Sequence, residues 1–204
     1  MKIGVMGTGE VGSTVGGKLH ALGHEVVFGS RSPGSDKARQ LSAETGIPVA
    51  SHQDAAAHGE WIVNALPGEQ AIATLTGCAL AGKILVDIGN YEAIVHGPIA
   101  TPLGLALQAA FPTARLVKTL NSVSAHLMVD PASLGADHTV FVAGDDAGAK
   151  GEVEALLRSF GWRSILDLGD LTACRAMEDL VPMWMRLFGK FGDPNFNLLV
   201  ARQS

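Results

Sequence analysis

The chain opens on a short apolar run, Ile3 to Met6. It continues as Gly7-Thr8-Gly9-Glu10-Val11-Gly12, and apolar or small residues at helical spacing then run from Val11 to Leu22 and stop at Gly23. That order predicts a buried strand, a glycine turn and a helix. Similar units follow. His24 to Gly29 is a second β-rich run, Ser35 to Thr45 a polar helix closed by Gly46, and Ile47 to Ala50 a short strand. Ser51 reads as the N-cap of a brief helix through Ala57, and Trp61 to Pro67 as a strand with its exit turn. Further on, the pattern predicts a helix over 69–80, a strand over 83–89, a loop over 91–98, a helix over 101–111 and a strand over 116–121. Strands over 138–144 and 162–168 flank a helix from Ala147 to Phe160 capped by Asp145-Asp146. Leu171 to Leu187 reads as the longest helix, apolar on most faces, and the tail from Phe188 to Val200 is apolar enough to dock on the body. Strands alternating with helices at this interval predict right-handed βαβ units. The expected fold is α/β, a Rossmann-type doubly wound, mainly parallel sheet with a small C-terminal helical extension. There is no internal repeat and no linker. Residues 1–204 are read as one unit, with 171–204 completing an acceptor site or a dimer interface.

The first turn carries the sharpest chemistry. Gly7 allows a tight turn, Gly9 lets the backbone approach a pyrophosphate, and Gly12 lets the helix pack closely. The helix start directs unpaired amides and the positive end of its dipole at the same place, around Thr8, Glu10 and Val11. The expected ligand is a dinucleotide. The end of the second strand decides which one. An NAD site usually has a carboxylate there for the ribose hydroxyls, whereas this chain has Ser30 and Arg31, with Lys37 a few residues on. A guanidinium pairs with a 2′-phosphate that a carboxylate would repel, so NADP(H) is expected over NAD(H).

Composition narrows the class further. Of 204 residues, 47% are hydrophobic and only 17% charged, which fits a sheet covered on both faces and a subunit interface. The net charge of −5, without a basic run, argues against a nucleic-acid surface. Cys78 and Cys174 are isolated and read as reduced core residues, which fits the cytoplasm, and the seven histidines show no metal spacing. No stretch approaches the roughly 20 apolar residues of a membrane helix, and no signal peptide is read at the N-terminus.

Residues just past strand ends face the crevice of such a sheet. Ala65, Leu66 and Pro67 are therefore candidates for the ribose and nicotinamide side, together with Asn90 and Asn121. Lys118 lies inside an apolar strand, where a charge needs a partner or a ligand. His126 follows the same strand. Those two are the candidate proton donors. Arg175 and Glu178 either face the site or pair with each other on a helix surface, and the surface pair is the expectation.

These residues carry a resemblance that runs nearly end to end. Met1-Lys-Ile-Gly-Val-Met-Gly-Thr-Gly9 with Val11-Gly12, and Leu22-Gly-His-Glu-Val-Val27 with Gly29-Ser-Arg31, resemble the NADPH-dependent reductases of the deazaflavin coenzyme F-420. So do Phe141-Val-Ala-Gly-Asp-Asp146, and Asp167-Leu-Gly-Asp-Leu171 with Arg175 and Glu178. In that family the glycine turn and the Ser-Arg pair hold NADP. One segment departs: Asn90, Ala110-Phe-Pro112 and Leu116 to Ala125 are more similar to the cytosolic NADPH domain of the six-transmembrane metalloreductases. In those proteins membrane helices holding haem follow that domain, so transmembrane electron transfer by these 204 residues alone is not expected.

The resemblance implies hydride transfer between nicotinamide and a second carrier, coenzyme F-420 or a flavin. With such a pair the cofactors carry the chemistry, and the protein orients them and excludes water. The chain is accordingly expected to be an NADP-dependent oxidoreductase acting on a small-molecule redox substrate, with no membrane and no nucleic-acid partner, as a homodimer. The alternatives are a reductase of small carbonyls or imines, with Lys118 or His126 as the acid, and a nucleotide-sensing module without turnover.

Overall fold

The computed structural model describes residues 1–203. The first half alternates strictly: β1 (Lys2–Met6), α1 (Glu10–Ala21), β2 (Glu25–Ser30), α2 (Asp36–Thr45), β3 (Val49–Ser51), α3 (His52–His58), β4 (Trp61–Asn64), α4 (Gly68–Leu75) and β5 (Ile84–Asp87). It continues with α5 (Leu103–Ala110), β6 (Arg115–Thr119), α6 (Ala125–Val129), β7 (Thr139–Ala143), α7 (Ala147–Phe160), β8 (Ser164–Asp167), α8 (Cys174–Glu178) and α9 (Leu180–Phe191). The eight strands form one sheet in the order β3-β2-β1-β4-β5-β6-β7-β8. Order reverses beside β1, which pairs in parallel with both β2 and β4. The doubly wound, Rossmann-type α/β fold read from the pattern is the fold observed.

Both faces of the sheet are buried, which is why the strands read as continuous apolar runs rather than alternating ones. Successive side chains still go to opposite faces. Ile3, Val5, Phe28, Val63 and Val86 join one core with Val15 and Leu19 of α1 and with residues of α6 and α7. Met6, Ile62 and Leu85 join another with residues of α3, α4 and α5 and with Cys174 of α8.

One strand pair departs from parallel. β7 runs antiparallel to β6, with Lys118 opposite Ala143. The chain between them never crosses back to the far edge. It stays beyond the carboxyl end of β6 as α6 and a turn of 3-10 helix at Pro131–Leu134, so β7 enters from the edge that β6 left.

Two helix boundaries differ from the pattern. The helix expected over 69–80 ends at Leu75, and a turn through Gly77, at φ 84°, follows it. The long helix expected over 171–187 is three pieces: a 3-10 turn Leu171–Ala173, then α8, then α9. Pro182 gives the reason for the last break. It has no N–H for the carbonyl four residues back, at Glu178, and the chain restarts its helix around Asp179. The longest helix is α7, with 14 residues, capped by Asp146, whose carboxylate accepts from the Ala149 amide. Among the described residues no helix is long and apolar enough to cross a membrane. The tail docks as expected: Thr139 N–H donates to Leu198 O at 2.8 Å, and Ser124 Oγ–H to Pro194 O at 2.7 Å.

Candidate functional site

The glycine turn lies at the carboxyl end of β1, where the strand order reverses. Gly7 adopts φ 111°, which glycine alone takes without strain, and a Cβ there would meet Ala65 O at 2.7 Å. Gly12 packs directly on the Gly7 carbonyl, with no room for a Cβ. So Gly12 closes the helix onto the turn itself. Gly9 differs: a Cβ there would meet nothing within 4 Å. Helix α1 has no side-chain cap, and its first amide bonded back into the turn is Ser13 N–H, to Gly9 O at 2.9 Å. The amides of Glu10, Val11 and Gly12 thus have no protein acceptor among the described residues, at a turn that is open at Gly9. This is an anion cradle of backbone donors.

At the end of β2, Ser30 is half-buried and its Oγ accepts from the Ser32 amide at 3.1 Å. Arg31 and Lys37 are exposed. Among the described residues neither makes a hydrogen bond or an ion pair. Their charge faces solvent at the edge of the crevice, unspent on the protein.

The carboxyl ends of β4, β5 and β6 carry a buried polar cluster. Asp87 and Lys118 stand side by side in register on adjacent parallel strands, both wholly buried. Lys118 Nζ donates to Asp87 Oδ2 at 2.8 Å, lies 3.1 Å from Glu178 Oε1, and donates to Gly89 O. Asp87 Oδ1 also accepts from Asn64 Nδ2 at 2.8 Å and from Gly89 N–H at 3.1 Å. The Glu178 carboxylate accepts from the first amides of α5, Leu103 N–H at 2.8 Å and Gly104 N–H at 3.1 Å. Burial pushes the Lys118 pKa down, but the carboxylates of Asp87 and Glu178 outweigh it and hold the pKa above the ordinary lysine value. The ammonium stays charged, with each proton directed at an oxygen. Cys174 packs on Gly104 beside this cluster. Burial, reinforced by the nearby carboxylates against the pull of Lys118, pushes its thiol up to about 12, so it remains a protonated core thiol.

This geometry corrects one expectation and meets another. Glu178 and Arg175 do not pair on a surface: Glu178 is 1% exposed and salt-bridged to Lys118, and Arg175 donates to the carbonyls of Ile99 and Ala100. The partner that Lys118 required is also internal, so its burial demands no ligand. The sign of that arrangement was readable, because Asp87 ends one apolar strand and Lys118 sits in the next. Glu178, from the far C-terminal part, was not readable.

Over the cluster, the strand exits are laced together. Asn90 Nδ2 donates to Asn121 O at 2.7 Å, and Asn121 Nδ2 donates to Asn90 Oδ1 at 3.1 Å and to Met177 O at 2.9 Å. Before Asn121, buried Leu120 adopts φ 60°, the sole non-glycine among the described residues with positive φ. A left-handed leucine costs about 1–2 kcal/mol and marks a backbone held in place by its surroundings. The β4 exit lies alongside. Ala65 is half-buried against Gly7 and Gly12, Leu66 is half-buried, and exposed Pro67 precedes α4, whose first amide, Gly68 N–H, donates to Asn90 O at 2.9 Å. His126, in the first turn of α6, is exposed, with Nε2 3.0 Å from Asn195 Oδ1 of the tail.

The pattern singled out neither Tyr91 nor His52 for the site. Tyr91 follows Asn90; burial and then the charges of Glu178, Glu69 and Asp87 raise its pKa, so its phenol stays protonated. His52 lies against Gly29 at the end of β2.

The fold and this edge define a Rossmann-type domain with an uncapped glycine turn at its switch point. Residues 2–91 match the family of coenzyme F-420-dependent NADP oxidoreductases. A crystal structure from Arthrobacter sp. FB24, provisionally described as an F-420-dependent NADP reductase, is 46% identical and superposes with a TM-score of 0.94, over 99% of this chain and 100% of that one. The F-420-dependent NADP reductase of Methanocaldococcus jannaschii is 26% identical, with 94% of each chain covered. Human metalloreductase STEAP2 is 30% identical over 94% of this chain, which spans 37% of that protein. The chain belongs to the F-420-dependent NADP oxidoreductase family.

The buried cluster makes a stability prediction. Lys118→Met leaves two buried carboxylates facing each other without a cation, and should lower the unfolding free energy by about 3–5 kcal/mol. Denaturant titration near neutral pH measures this, and a loss below about 1 kcal/mol would contradict the cluster's role.

Proposed function

We propose that this protein is an NADP(H)-dependent oxidoreductase that moves a hydride between nicotinamide and coenzyme F-420 or a flavin. The observation that carries the reading is the pairing of an open anion cradle at Gly9 with a carboxylate-free end of β2. In this reading Gly7, Thr8, Gly9, Glu10, Val11 and Gly12 receive the pyrophosphate on backbone amides. Ser30, Arg31 and Lys37 receive the 2′-phosphate. Ala65, Leu66 and Pro67 line the ribose and nicotinamide side, and Asn90 and Asn121 form the wall beyond them. The nicotinamide supplies or accepts the hydride.

The chain's own residues orient and seal. The Asn90–Asn121 pair, fixed to Met177 O, holds the loops of β5 and β6 at one spacing. Lys118 acts beneath them as a positioning residue, tying Asp87, the Gly89 carbonyl and Glu178 to one point. His126 is the exposed group beside this wall able to hold a proton for an acceptor that needs one, such as an imine or carbonyl. A deazaflavin or flavin does not require it.

The same reading has the protein act as a homodimer. Helix α9 buries none of its residues and exposes Met183, Met185, Phe188 and Phe191. A second copy packed on this helix would remove exposed apolar side chains from water. Light scattering at micromolar concentration should give the mass of two chains; the mass of one would remove the dimer from the proposal.

NADPH oxidation, followed by its absorbance, should be rapid with coenzyme F-420 or a flavin and slow with a panel of carbonyls and imines. The reverse ranking would replace the carrier with a small substrate and bring His126 into the chemistry. Arg31→Asp should weaken NADPH binding at least tenfold, about 1.4 kcal/mol for each factor of ten, and shift preference toward NADH. Unchanged NADPH affinity in that variant would remove the assignment of the 2′-phosphate.

A further inference from the structure

We propose that His52 is a proton-linked member of the 2′-phosphate pocket, so that binding NADP(H), but not NAD(H), draws a proton onto its imidazole. This rests on the assignment of Ser30 and Arg31 above, and adds to it a residue and a pH dependence.

The placement follows from the sheet. Ser30 pairs with Ser51 across β2 and β3, so the next residue, His52, is delivered beside the end of β2. A Cβ on Gly29 would lie 3.1 Å from His52 Cδ2. The ring therefore lies over the residue that precedes Ser30 and Arg31. It is half-buried and, among the described residues, makes no hydrogen bond. Arg31 likewise has no acceptor there.

The other charged groups on the elements packed around α3 do not serve this pair. Glu25, at the far end of β2, offers its carbonyl to His58 Nε2 at 3.0 Å. The Asp54 carboxylate accepts from Ser51 Oγ at 2.6 Å. Lys2 starts β1 at the opposite edge of the sheet, and Glu69 on α4 accepts from the Ala93 amide. His52 and Arg31 thus stand at the same strand end, neither bonded to a carboxylate among the described residues, and the Arg31 charge adds to burial in disfavouring the imidazolium until an anion arrives.

Burial, and then the Arg31 charge, keep the free His52 pKa below 6.5. A phosphate held at Arg31 reverses the second effect and raises the His52 pKa in the complex. Between the free and bound values, binding takes up a proton, and affinity for NADP(H) rises as pH falls, by at most about tenfold per pH unit for one proton. NADH carries no 2′-phosphate and produces no such shift. The phosphate's own second ionisation, near pKa ~6, weakens binding at still lower pH, so the comparison with a variant is essential.

The experiment is calorimetric titration of the intact protein with NADPH and with NADH, just below neutral pH, in two buffers of different ionisation enthalpy. Wild type and His52→Gln are compared. The expected result is proton uptake with NADPH and none with NADH in wild type, and loss of most of that uptake in His52→Gln, with NADPH affinity several-fold weaker. Equal uptake in the two proteins, or none in a wild type that prefers NADPH, overturns the role of His52 alone. A wild type that binds the two nucleotides equally overturns the 2′-phosphate assignment, and the His52 proposal with it.

Discussion

The constraint on which the rest of the candidate site depends is the buried ammonium of Lys118. A lone charge at the centre of a parallel sheet would cost several kcal/mol. Here it is held by Asp87 of the neighbouring strand, by the Gly89 carbonyl and by Glu178 from the C-terminal part of the chain. Two carboxylates against one ammonium leave an excess negative charge, and the first amides of α5 meet it through Glu178. Four segments distant in sequence are thereby fixed to one point. The loops carrying Asn90 and Asn121 stand directly on it, and the left-handed backbone of Leu120 is sustained by that fixation. In the proposed function, where the cofactors carry the chemistry, this kind of rigidity is the protein's main contribution, because small errors in the spacing of two stacked rings cost large factors in rate.

The two ends of the site are built on different principles. At the nucleotide end the protein leaves donors unspent: open amides at the start of α1, and Arg31 and His52 without acceptors. At the acceptor end the donors of Asn64, Lys118 and Asn121 and the carboxylates of Asp87 and Glu178 are each bonded to another part of the chain. Free donors suit a ligand that brings its own anions. A saturated wall suits a partner held by shape and stacking.

What was legible in the sequence follows the same division. The glycine turn is contiguous, and its strand and helix contexts are local, so its geometry could be read from residues 2–22. The end of β2 was readable for the same reason. Asp87 beside Lys118 was available as two opposite charges at the ends of successive apolar strands. Glu178 was not, because nothing local distinguishes an inward glutamate from one facing solvent. Its pairing with Lys118 arises only when α8 packs on α5. The C-terminal helix was misread as one because its apolar spacing continues through Pro182, although the missing N–H there permits the restart seen at Asp179. His52 was hidden as the first residue of a helix whose cap, Ser51, was recognised, since the pairing of β2 with β3 is what brings it to Arg31.

In the proposed function this crevice brings a nicotinamide and a second ring system together for direct transfer. The most direct measurement follows a deuterium label from C4 of NADPH into oxidised coenzyme F-420 during a single turnover, using each stereospecifically labelled nucleotide in turn. One of the two labels is expected in the reduced deazaflavin, and the other stays with the nicotinamide. Loss of label to water, or no reduced deazaflavin with either nucleotide, would contradict it.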